Sequence, residues 1–170
     1  MSKRFSRGVA LAGLSSAVFC ASSLTPAHAA TTYWRFDNYQ RGCLTASTST
    51  SAVFEGPCRS DSTAQQWRWA TSDAWDMKML VNRATGRCLT TDFASSAEKA
   101  NAVWQGVCDT DDRGKQWRFE YRQDTHGFLH TVWGTQARTS PTAGAVYTDD
   151  RTVTGFSDNY YAWSASTSTV

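Results

Sequence analysis

The chain has 170 residues, of which 41% are hydrophobic and 19% charged, with 17 basic residues against 15 acidic ones. Lys3, Arg4 and Arg7 lie at the very start, so the remainder is close to neutral and lacks the basic excess expected of a nucleic-acid binder. The apolar run Gly8 to Leu24 falls short of the ~20 residues a membrane-spanning helix needs, and no later stretch is more apolar.

Residues 1–29 read as a secretory leader. A basic start is followed by the apolar run and then by Thr25-Pro26-Ala27-His28-Ala29, a breaker with an Ala-x-Ala cleavage pattern. A lipoprotein anchor at Cys20 is disfavoured because Phe19, not a small residue, precedes it. Cleavage near Ala29 predicts one secreted domain over 30–170, large enough for its own core. We expect a monomer with no membrane insertion.

Strand signals dominate from there, short and aromatic or β-branched, with turn residues between them. The first is Tyr33–Asp37. Gly42-Cys43-Leu44-Thr45 follows, then a strand over Ala52–Glu55, Cys58, Gln65-Gln66-Trp67 and a strand over Trp67–Ala70. The order then restarts. A strand at Met77–Val81 precedes Gly86-Arg87-Cys88-Leu89-Thr90, a strand at Ala102–Gln105, Cys108, Lys115-Gln116-Trp117 and a strand at Gln116–Tyr121. Ser95 to Trp104 is the best helical candidate and reads as a loop insertion with at most one helical turn. The last third offers strands at Phe128–Trp133, Gly144–Thr148 and Tyr161–Ala165, with Trp163 but no cysteine.

A small–Val–aromatic phrase marks each unit: Ala52-Val53-Phe54, Ala102-Val103-Trp104 and Ala145-Val146-Tyr147. Trp67, Trp117 and Trp163 recur at about 50 residues, the size of a supersecondary unit that must stack on its siblings to bury its apolar face. The repeats run about 31–73, 74–123 and 124–170. An all-β barrel of three pseudo-repeats, each of about four short strands, follows, since closure removes exposed sheet edges. Val53, Val103, Val146, Leu44, Leu89 and the three tryptophans are its expected core. Four cysteines remain after cleavage, and the repeat selects Cys43–Cys58 and Cys88–Cys108 among the three pairings. Each bridge contributes roughly 3 kcal/mol if unstrained. No CxxC pair argues for zinc, so no metal and no cofactor are expected.

These motifs resemble the ricin-B-type lectin family. Asn82-Arg83-Ala84-Thr85-Gly86-Arg87-Cys88-Leu89 matches the family's Asn-x-x-(Thr/Ser)-Gly-x-Cys-Leu opening, and Gln65-Gln66-Trp67 matches its Gln-x-Trp signature. The resemblance covers about 33 to 165. It implies a β-trefoil that binds a polysaccharide or glycan, through a polar side chain for the hydroxyls and an aromatic face for the pyranose. Residues that match the family's site positions are Thr45 and Thr90, where the family has Asp, and Gln65, which becomes Lys115 in the second repeat. Ala64 and Gly114 stand where the family often has Asn, and Gly56 and Gly106 where it has an aromatic. The sugar sites are therefore degenerate, and the alternative is a trefoil that has lost sugar binding and serves as a protein-binding accessory subunit or inhibitor.

Further candidates come from alternation and proximity. Phe54, Trp104 and Tyr147 follow a core valine, so they point to the opposite face, toward the pocket of their own repeat. Asp92 stands two residues beyond Thr90 as a displaced carboxylate. Asp149 and Asp150 follow Tyr147, and Asn159-Tyr160-Tyr161 precedes Trp163, which gives the third repeat an acid, an amide and aromatics. The run 109–114 with Glu120 carries some calcium-loop spacing, but Arg113 falls at a ligand position and no helices flank it. His126 and His130 read as a surface pair on a strand. GxSxG and HExxH are absent, and nothing singles out a pair of glycosidase acids, so no catalytic residue is expected.

Overall fold

The computed structural model describes residues 30–40, 42–72, 76–93, 99–122, 126–142 and 144–169. The leader 1–29 and the first part of the helical candidate, 95–98, lie outside these residues. The described chain is twelve strands with three single-turn 3-10 helices. The first repeat holds β1 (Thr32–Asn38), β2 (Cys43–Ala46), β3 (Val53–Gly56) and β4 (Trp67–Thr71). The second holds β5 (Lys78–Asn82), β6 (Cys88–Thr91), β7 (Asn101–Gly106) and β8 (Trp117–Arg122). The third holds β9 (His126–Thr131), β10 (Gln136–Thr139), β11 (Val146–Asp149) and β12 (Trp163–Thr169).

Six of these strands close a ring. β1 pairs with β4, β4 with β5, β5 with β8, β8 with β9, β9 with β12 and β12 with β1, all antiparallel. The other six form three hairpins, β2–β3, β6–β7 and β10–β11. These cluster over one end of the barrel through β7–β11 pairing and through bridges Ala52–Trp104 and Phe54–Ala145. The first strand of each hairpin escapes the sequence reading because Cys43–Ala46, Cys88–Thr91 and Gln136–Thr139 are four residues each, with no aromatic and at most one large apolar side chain. Residues 101–106 are strand rather than loop insertion.

The tryptophans explain the repeat. Trp67, Trp117 and Trp163 are fully buried, and each indole Nε1–H donates to a hairpin carbonyl: Leu44 at 3.0 Å, Leu89 at 2.9 Å and Ala137 at 3.0 Å. An indole is therefore both the core filler and the bolt joining barrel to hairpin. An unpaired buried N–H would cost about 1–3 kcal/mol, which fixes the carbonyl opposite it. Val53, Val103 and Val146 pack into the same core, as do Leu44 and Leu89.

Both disulfides form, Cys43–Cys58 and Cys88–Cys108, across sequence separations of 15 and 20. In the third repeat, Gln136 and Arg151 occupy the two cysteine positions. The Arg151 backbone N–H donates to Gln136 Oε1 at 3.2 Å, and the Arg151 guanidinium pairs with Asp158 at 2.6 Å. A polar clasp thus stands in for the bridge. Among the described residues no helix is long and apolar enough to cross a membrane. Asp37, Cys43 and Cys58 gather their potential ligand atoms within 4.8 Å, but the disulfide leaves no thiolate there to bind a metal.

Candidate functional site

The register of the hairpins builds the same pocket position three times. Opposite strands pair Thr45 with Phe54, Thr90 with Trp104 and Arg138 with Tyr147. Two residues along, Gly56, Gly106 and Asp149 occupy one position, and the residue two before each core tryptophan completes the set: Gln65, Lys115 and Tyr161. The three constellations are Thr–Phe–Gly–Gln, Thr–Trp–Gly–Lys and Arg–Tyr–Asp–Tyr.

In the first repeat the polar groups are spent on each other. Thr45 Oγ1 donates to the Cys43 carbonyl at 2.8 Å and accepts from Gln65 Nε2 at 3.1 Å. Gln65 Nε2 also donates to the Pro57 carbonyl at 2.8 Å, and its Oε1 accepts from Arg59 N–H at 2.8 Å. Both amide hydrogens are used, so this buried glutamine has no donor left for a ligand. Phe54 is 40% exposed above it. A Cβ on Gly56 would come within 3.0 Å of Thr45 Oγ1 and 3.3 Å of the Phe54 ring, so glycine is what lets ring and hydroxyl approach.

The second repeat keeps unused capacity. Thr90 Oγ1 donates to the Cys88 carbonyl at 2.9 Å, which leaves its lone pairs open. Lys115 is buried along its stem and pairs with Asp112, which caps the 3-10 turn Arg113–Lys115 by accepting from Gly114 N–H at 2.8 Å. The ammonium retains two donors and the Asp112 side chain is 41% exposed. The hydrogen bond from Lys115 is the main reason that the Asp112 carboxyl titrates below its ordinary value. Trp104 stands half-buried across the strand pair. A Cβ on Gly114 would land 2.3 Å from the Thr91 carbonyl, so this turn has no room for the family's asparagine side chain at that position.

The third repeat is sealed. Asp149, where the other repeats have glycine, is fully buried; its Oδ2 accepts from Arg138 Nε at 2.6 Å and its Oδ1 from the Tyr161 hydroxyl at 2.6 Å. The Tyr161 hydroxyl also meets Thr154 Oγ1 at 2.6 Å. Phe156 and Tyr147 lie over the Arg138 guanidinium at 4.1 and 5.3 Å. Burial, with the neighbouring carboxylate, pushes the Tyr161 phenol up to about 12, so it remains a neutral donor.

Phe54, Trp104 and Tyr147 each lie across from the pocket position of their own repeat, and Thr45, Gln65 and Thr90 lie within it. Asp92 is exposed beyond β6, and Asn159 is exposed in the turn Asp158–Tyr160, so neither joins a constellation. Asp150 is held by the Thr152 backbone N–H and hydroxyl. Glu120 lies 3.3 Å from His130 Nε2 rather than in the loop 109–114. His130 is buried, not a surface partner of His126, because β9 turns it under the third hairpin beside Gln136. The sequence reading placed Lys115 as the counterpart of Gln65 and Tyr161 among the third repeat's aromatics, but it missed Arg138 and gave Asp112 no part in the site. Counting two residues on from each first cysteine finds Thr45 and Thr90, and the third repeat has no cysteine to anchor Arg138.

No protein-family model and no curated protein matches the sequence. Solved structures do match. A designed threefold symmetric protein, ThreeFoil, superposes with a TM-score of 0.63 at 21% identity, over 78% of this chain and 96% of that one. The exo-β-1,3-galactanase 1,3Gal43A from Clostridium thermocellum matches at 0.64 and 18% identity, with 79% of this chain spanning 30% of the enzyme. SeviL, solved with the asialo-GM1 saccharide, matches at 0.56 and 12% identity over 81% of this chain and 98% of that one. Together with the six-stranded barrel and its three hairpins, these likenesses define the class: the protein is a β-trefoil. The pairing of one disulfide within each of the first two repeats suits an extracellular setting.

Proposed function

We propose that this β-trefoil is a secreted, non-catalytic carbohydrate-binding protein of the ricin-B-like kind, released by removal of residues 1–29. Its working pocket is the one in the second repeat. The observation that carries this reading is the contrast among three equivalent positions: only Thr90, Trp104, Asp112 and Lys115 combine a half-buried aromatic with donors and acceptors that are not already committed. A pyranose presents an apolar face for the indole, and adjacent hydroxyls that both donate and accept; carboxylate beside ammonium answers both. One shallow site gives weak binding, and no cation is required. The sugar-associated neighbours, SeviL with its saccharide and the galactanase, support the ligand class.

The test is a glycan array of plant, microbial and animal glycans, followed by calorimetry on any hit. Trp104→Ala should lower the calorimetric affinity by more than about tenfold, and Asp112→Asn should lower it about tenfold, the size of one lost charge-assisted bond. The rival reading, a protein-binding accessory subunit or inhibitor, is favoured by the closure of the first and third pockets. A folded, disulfide-bonded protein that binds no glycan on the array would sink the carbohydrate reading and leave that rival.

A further inference from the structure

The barrel has a second end, opposite the hairpins, and it is not symmetric. Two residues after each core tryptophan stand Trp69, Phe119 and Ala165, all packed half-buried against the core. Four before the last residue of each opening strand in the first two repeats, and of β9 in the third, stand Trp34, Lys78 and Gly127, if Asn38, Asn82 and Thr131 are matched by their common role of binding the following turn. The first repeat thus supplies two indoles and the second a phenyl ring and a lysine where the third supplies alanine and glycine. A cleft of about 300 Å³ results, walled by Trp34, Trp69, Phe119 and Tyr121 and edged by Asp76, Lys78 and Arg118. That is the lower bound of small-ligand sites, ~300 Å³.

We propose that this cleft is a second carbohydrate subsite, separate from the three pocket positions under the hairpins, which takes a sugar unit of a longer chain. The inference shares its ligand class with the reading above and nothing else. Its walls are fixed before any ligand arrives: Phe119 lies edge-on to Tyr121 at 4.8 Å, and Phe36 lies 6.0 Å from Trp69 and 5.6 Å from Phe119. Rings held by one another lose little freedom on binding. The rim carries both signs. Arg118 Nη1 donates to Asp76 Oδ2 at 2.9 Å, both exposed, and Lys78 makes no ion pair among the described residues. A purely apolar ligand would desolvate these charges without replacing their bonds, and a strongly charged one would meet its own sign beside its partner. A neutral ring with one apolar face and a border of hydroxyls satisfies walls and rim together. Because the cleft shares no lining residue with the second-repeat pocket, one molecule engages two stretches of glycan or two chains, and a polymer is bound more tightly than its unit.

The experiment is NMR titration of the secreted protein, disulfides intact, with cellohexaose, laminarihexaose, xylohexaose and chitohexaose in turn, following the indole N–H signals of Trp34 and Trp69. The expected result is saturable movement of both signals with at least one hexasaccharide. Tyr121→Ala, at a residue 59% exposed, weakens it about tenfold. Arg118→Gln weakens it less, and Trp104→Ala leaves it in place. Unshifted Trp67 and Trp163 indole signals certify that each variant is folded. Cleft signals that stay still with every hexasaccharide while Trp104 moves overturn the cleft and spare the pocket; the reverse overturns the pocket and spares the cleft. Cleft signals that move with protein concentration alone mean that a second copy covers this face, and that also overturns the proposal.

Discussion

The second and third repeats occupy the same place in one fold and have taken opposite courses. Two residues beyond the hairpin aromatic the second repeat has Gly106, and the space it leaves is bordered by Thr90 and by Lys115, which pairs with Asp112. The third has Asp149, whose carboxylate fills that space and is answered by Arg138 and Tyr161 from inside the protein. A buried charge that finds its partners within the chain serves the core; a buried ammonium paired with a part-exposed carboxylate, with spare hydrogen bonds, is available to something else. The difference turns on one Cβ and what hangs from it.

The sharpest way to break this comparison is to remove one member of the sealed cluster. Asp149→Ala or Arg138→Ala strands the other charge in the interior and should cost about 3–5 kcal/mol in denaturant unfolding. The pair Arg138→Thr with Asp149→Gly, which copies the second repeat, should cost less than the sum of its single changes because the two side chains are coupled. Tyr161→Phe comes next, at about 1.5–3 kcal/mol, since Asp149 Oδ1 then loses its donor.

The same tyrosine gives a pH signature. Its folded value, about 12, lies above the ordinary 10.0, so the stability it lends is complete below pH ~10 and is lost as the pH rises toward 12. Spectroscopic titration of the phenols should show one that ionises last, and Tyr161→Phe should remove it. At the acid side, burial holds the His130 imidazole below its ordinary 6.5 despite Glu120 nearby, with Arg118, Arg122 and Arg151 adding to the depression. The folded protein then binds fewer protons than the unfolded chain. Stability is full above pH 6.5 and falls as pH drops below it, and His130→Gln should flatten that slope. The smallest effect belongs to the second repeat. Lys115→Gln, which copies the first, should change stability by about 1 kcal/mol or less because Asp112 is part-exposed, while lowering glycan affinity measurably by calorimetry.

Much of this architecture is legible in the chain. The recurring tryptophans, the small–Val–aromatic phrases and the paired cysteines report burial and covalent closure, which depend on residue type and spacing alone. The three hairpin-opening strands were not legible, because Cys43–Ala46, Cys88–Thr91 and Gln136–Thr139 are strands by virtue of their partners, not their own β-propensity. The site was legible in part. Thr45, Gln65, Thr90 and the three hairpin aromatics fall at pocket positions, yet nothing local says that Gln65 has spent its amide or that Asp149 is buried.

What the sequence determined by itself is the threefold all-β plan, the disulfide pairing and the identity of the core, because hydrophobic periodicity and repeat order carry over directly into packing. What only the tertiary structure decided is which of three like pockets stays open and where the barrel's aromatic end parts into a cleft. Those outcomes rest on contacts that residue type does not announce: Arg138 with Asp149 across the third hairpin, and Phe36 with Phe119, which are distant along the chain and meet only when the ring of strands closes.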